Sequence, residues 1–161
     1  MSSAAFETED AIRVDVRAEA VINDAFLRVI HTGPHEQIVV MTLPPDDETG
    51  EELRDDVDQV IVLVDGVGEA RVGQYALGVR PGDLVVVEPG TRHNIVNRAT
   101  VPLRLIAVFA PPVFAAGTVL ATKEAYAAAQ ADPSPVRTAG PGAHRAGPSL
   151  VRPAEAAGTG A

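Results

Sequence analysis

The segments Val60-Ile61-Val62-Leu63-Val64 and Leu84-Val85-Val86-Val87 are apolar at every position. A strand with one wet face alternates polar and apolar residues, because successive side chains point to opposite sides of a sheet. These two runs are too short for buried helices and are bounded by Asp65-Gly66, Arg80-Pro81-Gly82-Asp83 and Glu88-Pro89-Gly90, which are turn sequences. They are therefore predicted to be strands covered on both faces. The cover has three candidate sources: N-terminal strands, a helix, or a second copy of the chain. A homodimer is the expectation, since exposed apolar patches of that size are uncommon on soluble monomers.

The same turn chemistry recurs along residues 11–109. Candidate strands are Ile12–Val16, Phe26–His31, Gln37–Leu43, Gln59–Val64, Glu69–Val72, Gln74–Val79, Leu84–Glu88, His93–Asn97 and Leu103–Phe109. Many short strands at this spacing predict an all-β sandwich or barrel. Thr122 then opens one helix. Its hydroxyl is an N-cap, Glu124 suits the positive helix end, and Ala125–Ala131 are strong helix formers. Asp132-Pro133 ends it.

Residues 132–161 contain ten Gly or Pro in thirty positions and no aromatic residue. Such a segment buries too little apolar area to offset its ordering entropy, so a disordered tail is expected. The predicted organisation is a flexible N-terminus over 1–10, one domain over 11–131 with its helix at about 122–131, and the tail.

Charge narrows the partners. The net charge is -9, which argues against nucleic acid, whose binding needs clustered Lys and Arg. Eight of the thirteen residues from Asp46 to Asp58 are acidic; this run reads as a solvated loop or as the mouth of a pocket. The chain has no cysteine, so thiolate metal sites and disulfides are excluded. Met1–Asp10 lacks an apolar signal core, and no apolar run reaches the roughly 20 residues of a membrane span. A cytoplasmic protein without membrane partners is the expectation.

Two segments carry chemistry. The first runs from Gly50-Glu51-Glu52-Leu53-Arg54 through Asp58-Gln59 to Gly66 and Gly68. The second is Pro81-Gly82-Asp83, then Glu88-Pro89-Gly90-Thr91-Arg92-His93-Asn94, ending at Asn97. Together they resemble the paired motifs of cupins, and the wider stretch from Phe26 to Val113 is similar to small single-domain cupins labelled mannose-6-phosphate-isomerase-like. The resemblance implies a double-stranded β-helix, a jelly-roll barrel, with one C-terminal helix. It implies metal ligands at Glu52, residue 54, Gln59 and His93.

At the second of those positions the resemblance calls for histidine, and this chain has Arg54. A guanidinium has no lone pair to give and stays charged. Standing about 5 Å from a divalent ion, it would repel that ion by roughly 6 kcal/mol at an effective dielectric near 20. Alternatively its long side chain turns outward to Asp55, Asp56 or Asp58. Relatives also often carry a histidine where this chain has Leu120. His31 and His35 flank a Gly-Pro turn and His144 lies in the tail, which leaves His93 as the imidazole of the pocket.

Three functions follow from these residues. The first is a degenerate metal site, in which Arg54, Gln59, His93 and Glu52 bind a small polar or anionic metabolite without an ion. The second is a divalent-metal-dependent enzyme of the isomerase or oxygenase class. Its Zn, Mn, Fe or Ni ion would be held by Glu52, Gln59 and His93 and weakened by Arg54. The third is a non-catalytic homodimeric assembly module.

Overall fold

The computed structural model describes residues 5–7 and 11–131. In chain order the elements are β1 (Ala5–Glu7), β2 (Ile12–Val14), α1 (Val16–Ile22), β3 (Leu27–Thr32), β4 (Gln37–Leu43), β5 (Asp58–Asp65), β6 (Gly68–Val72), β7 (Tyr75–Val79), β8 (Leu84–Val87), β9 (His93–Val96), β10 (Leu103–Ala110), β11 (Val119–Leu120) and α2 (Lys123–Ala131). The expected tail at 132–161 lies outside the described residues, as does most of the expected flexible N-terminus.

The strands form three antiparallel sheets. Six run in the order β11-β3-β4-β10-β5-β8, three in the order β7-β6-β9, and β1 pairs with β2. The long central strands carry the architecture. On β10, Leu103, Leu105, Ala107 and Phe109 point inward, opposite Leu43, Met41, Val39 and Gln37 of β4. Residues facing each other across a ladder share a face, so a single register buries all eight side chains, the seven apolar ones in the main core. Full burial of a Leu or Phe side chain is worth about 1.5–3 kcal/mol.

The doubly apolar β5 has a cover on each side. Ile61 and Leu63 enter the main core, whereas Val62 and Val64 join Val40, Ile106 and Ala20 in a second cluster on the outer face. Ala20 belongs to α1, so this helix covers that end of the sheet. Leu84 and Val86 of β8 remain exposed at the sheet edge.

Two features correct the sequence-based fold. A closed jelly-roll barrel was expected, but the six- and three-stranded sheets are not joined by a continuous ladder. The irregular 47–52 segment meets residues 93–97 through the isolated bridges Glu48–Val96 and Glu52–His93 and through the bonds from Thr49 N to Ile95 O and from Asn97 N to Asp47 O, without forming a regular strand. This acidic stretch does not alternate as a strand does, and Gly50 sits at φ 87°. The result is an all-β, cupin-like arrangement of open sheets.

The described residues also hold two helices rather than one. Asp15 caps α1 by accepting from Ala18 N at 3.0 Å, and Arg28 binds Glu19 across it at 2.7 Å. The prediction extended β2 to Val16 and assigned no element to the Ala- and Glu-bearing run that follows. No helix among the described residues is long and apolar enough to cross a membrane.

Candidate functional site

Glu52 and His93 are brought together by backbone alone. Glu52 N donates to His93 O at 2.8 Å, and His93 N donates to Glu52 O at 3.0 Å. Residues that exchange both bonds of an antiparallel bridge project their side chains to the same side. Both side chains are buried, and His93 Nε2 lies 3.6 Å from Glu52 Oε2.

Arg54 follows two residues after Glu52, with its carbonyl accepting from Gly90 N at 2.6 Å. Its guanidinium turns inward to an ion pair with Glu52 rather than outward to Asp55, Asp56 or Asp58. The side chain is 16% exposed, and its Nε is 3.7 Å from Glu52 Oε2. Its Nη2 donates to Gln130 Oε1, and its Cζ lies 5.3 Å from the centre of the Phe109 ring. Phe109 faces Gln59 across the β10–β5 ladder, so Gln59 points to the same interior. Glu52, Arg54, Gln59 and His93, the four residues singled out in the sequence, therefore converge.

The hydrogen bonding of this cluster is incomplete. Glu52 Oε2, Arg54 Nε, Gln59 Oε1, His93 Nε2 and Gln130 Nε2 are buried with no partner. Buried polar groups are paired in the great majority of cases, so these five orphans are a feature to be explained. His93 Nδ1 is 3.1 Å from the Thr91 carbonyl, which can only accept. The Nδ1 proton is fixed there, and in the neutral ring Nε2 presents a lone pair. Three lone-pair atoms, one each from imidazole, carboxylate and amide, thus lack a partner, as do two N–H donors.

That donor set suits a divalent ion of the Zn, Mn, Fe or Ni kind. Arms of about 2.0–2.2 Å to imidazole nitrogen and carboxylate oxygen are compatible with the 3.6 Å separation. The set also suits a polar organic ligand. No three His, Asp or Glu side chains among the described residues are grouped to hold a metal, so a third donor would have to be the amide oxygen of Gln59.

Two members of the site come from α2 and were not identified in the sequence. Tyr126 donates its phenolic hydrogen to Glu52 Oε1. It is 1% exposed and packs its ring 5.3 Å from Phe26 and 6.2 Å from Phe114. Burial, and after it the Glu52 carboxylate, push the Tyr126 phenol well above its ordinary range, so it stays a donor. Gln130 holds Arg54. The available signal was an aromatic residue alone in an Ala-rich helix, on the same face as Lys123 and Gln130.

Asn94 and Asn97 serve structure. Asn94 donates to Glu48 Oε2 at 2.8 Å and accepts from Thr49 Oγ1 at 3.1 Å, fastening the 48–49 segment to β9. Asn97 donates to the carbonyls of Leu43, Pro44 and Val101.

Comparison with known proteins agrees with this arrangement. Residues 39–109 match the Cupin_2 (cupin domain) family model. The uncharacterized protein YrkC of Bacillus subtilis is 31% identical over 123 residues, which are 73% of this chain and 66% of that one. The uncharacterized protein L612 of Acanthamoeba polyphaga mimivirus is 33% identical over 102 residues, 61% of this chain and 64% of its own length. The chain thus spans just under two thirds of each of these curated relatives. The crystal structure of BH2720 from Bacillus halodurans superposes with a TM-score of 0.70 at 30% identity, covering 72% of this chain and 92% of that one. Matched in sequence across the long strands and in structure over nearly all of BH2720, the chain belongs to the cupin superfamily.

Proposed function

We propose that Glu52, Gln59 and His93 hold one divalent cation, and that the chain is a metal-dependent cupin enzyme of the isomerase or oxygenase class acting on a small polar or anionic metabolite. The observation that carries this is the set of three buried, unpartnered lone pairs with the His93 tautomer already fixed by Thr91. Leaving such groups unpaired costs about 1–3 kcal/mol each, and more for a carboxylate. One ion satisfies all three.

When bound, the ion supplies Lewis-acid polarisation of a substrate oxygen. The residues have separable tasks. Thr91 orients His93, Tyr126 occupies Glu52 Oε1 so that Oε2 is the oxygen offered, and Phe109 and Gln130 hold the guanidinium of Arg54. The free Arg54 Nε–H is then available to an anionic substrate group. The motif likeness to small mannose-6-phosphate-isomerase-like cupins agrees with that substrate class.

A second reading rests on the inward position of Arg54. With its charge beside Glu52, the pocket binds the anionic metabolite without an ion. Metal analysis of protein purified without chelator separates the two. A stoichiometric ion that is lost in His93→Ala supports the metal enzyme. A metal-free wild type that gains an ion in Arg54→His overturns it in favour of the second reading.

A further inference from the structure

We propose that α2 is the gate of this pocket, and that a single outward movement of the helix releases Glu52 and Arg54 together. The gate rests on reading the pocket as the ligand site.

Three polar contacts tie α2 to the 47–54 segment. Lys123 Nζ binds Asp47 Oδ1 at 2.6 Å, Tyr126 Oη donates to Glu52 Oε1, and Gln130 Oε1 accepts from Arg54 Nη2. Positions 123, 126 and 130 are three and four residues apart, which places them along one face of the helix. That face lies against the segment that supplies two of the four site residues. The five unpartnered atoms are buried, and one of them, Gln130 Nε2, is on α2 itself. For a metabolite to reach these buried atoms, part of the wall must move.

Among the elements touching the site, α2 is the one built to move. It is nine residues long and rests against the two-residue β11. Its attachment to the main core is one ring, Tyr126, with Ala129 packed partly against it. By contrast β5, β9 and the 52–54 segment are held by backbone hydrogen bonds to their neighbours. Local openings draw on elements with few buried apolar contacts, and lids of this kind commonly limit entry and release.

The movement has a chemical consequence. With α2 closed, Glu52 Oε1 is occupied and Arg54 is parked on Gln130. With α2 open, both carboxylate oxygens are free and the guanidinium can turn toward an entering anion. Substrate entry and recruitment of the positive charge are thereby linked.

The test needs no metal and is run with chelator present, so the gate and the metal site can fail separately. Diethyl pyrocarbonate modifies neutral imidazole, and peptide mass mapping isolates His93 from His31, His35 and His144. Lys123→Cys/Asp47→Cys supplies the only two thiols in a chain without cysteine, for a flexible bis-maleimide bridge. Cross-linking is expected to slow His93 modification about tenfold or more, while amide exchange in β4 and β10 is unchanged. Tyr126→Phe/Gln130→Ala is expected to speed modification by a similar factor. Equal His93 rates with and without the cross-link overturn the gate.

Discussion

His93 Nε2 and Glu52 Oε2 face each other at 3.6 Å inside the protein, each without a hydrogen-bond partner. The distance exceeds a hydrogen bond, and the Nδ1 proton is committed to Thr91. The pair is thus costly as it stands and becomes favourable when an electropositive centre joins it. Glu52→Gln removes the buried charge while keeping the shape. It is expected to lower divalent-metal affinity by about 100-fold or more, the scale of one lost charged ligand, and to leave the metal-free protein equally or slightly more stable. Chelator-dye competition and urea melts of the metal-free protein check the two halves. A fall in metal-free stability of about 2 kcal/mol or more would show that the carboxylate is structural.

Gln37 is a second buried polar residue with the opposite character, because every polar atom is satisfied. Its Nε2 donates to Thr32 Oγ1 and Phe114 O, and its Oε1 accepts from the backbone N–H groups of Val113 and Phe114. These bonds fix the 113–114 turn and so place the Phe114 ring against Phe109 and Tyr126. Gln37→Leu would strand several backbone groups at a fully buried position. A loss of roughly 3–5 kcal/mol is expected from two or three unsatisfied groups at about 1–3 kcal/mol each, read as a shift of the urea midpoint.

The contrast between these two residues shows what the sequence makes legible. Glu52, Gln59 and His93 could be placed because strand alternation and turn spacing are local rules, and the resemblance to cupin motifs supplied the register. Arg54 could be placed near the site but not oriented, since its direction depends on Phe109 and on Gln130, which is 76 residues away. Tyr126 was hidden for the same reason: a helix shows which residues share a face but not what that face docks against. Closure failed as an expectation because it depends on how the acidic 47–52 segment pairs, and a chain of alternating β signals says nothing of a segment without them. The first helix was missed because its seven residues, about two turns, are too few to show helical periodicity. Its visible signal was Asp15 at the N-cap position.

The Asp47–Lys123 pair carries a pH dependence. Burial opposes the charged form of Asp47. The Lys123 ammonium and the Glu48 N–H more than offset this and hold the carboxyl below its ordinary value of 3.8. A group whose pKa is lower in the folded state stabilises above its unfolded pKa, and that stability fades as pH falls through the folded value. Docking of α2 should therefore loosen on the acid side of pH 3.8, with little change from pH 5 to 8. The pair is partly exposed, so the effect is about 0.5–1 kcal/mol. Asp47→Asn should flatten that part of the stability curve, measured by urea midpoints across the acid range. An unchanged slope would remove the pair from the account of acid sensitivity.

The ion pair between Arg28 and Glu19 should respond unequally to the loss of either partner. Glu19 is 5% exposed and Arg28 is 29% exposed, with Arg28 Nη2 2.7 Å from Glu19 Oε2. Arg28 has a further partner, since its Nε donates to Asn23 Oδ1 at 3.4 Å. Removing Glu19 leaves a cation that still reaches water and an amide oxygen. Removing Arg28 leaves a carboxylate beneath α1 without its counter-charge, and stranding a buried charge is the costly direction. Arg28→Ala is expected to destabilise by about 3 kcal/mol and Glu19→Ala by about 1 kcal/mol. If α1 covers the outer face of the sheet as a unit, Arg28→Ala should also speed amide exchange in α1 ahead of β4. Equal penalties for the two variants would mean that Glu19 finds water when Arg28 is gone, and that α1 is less firmly seated than its buried Ala20 indicates.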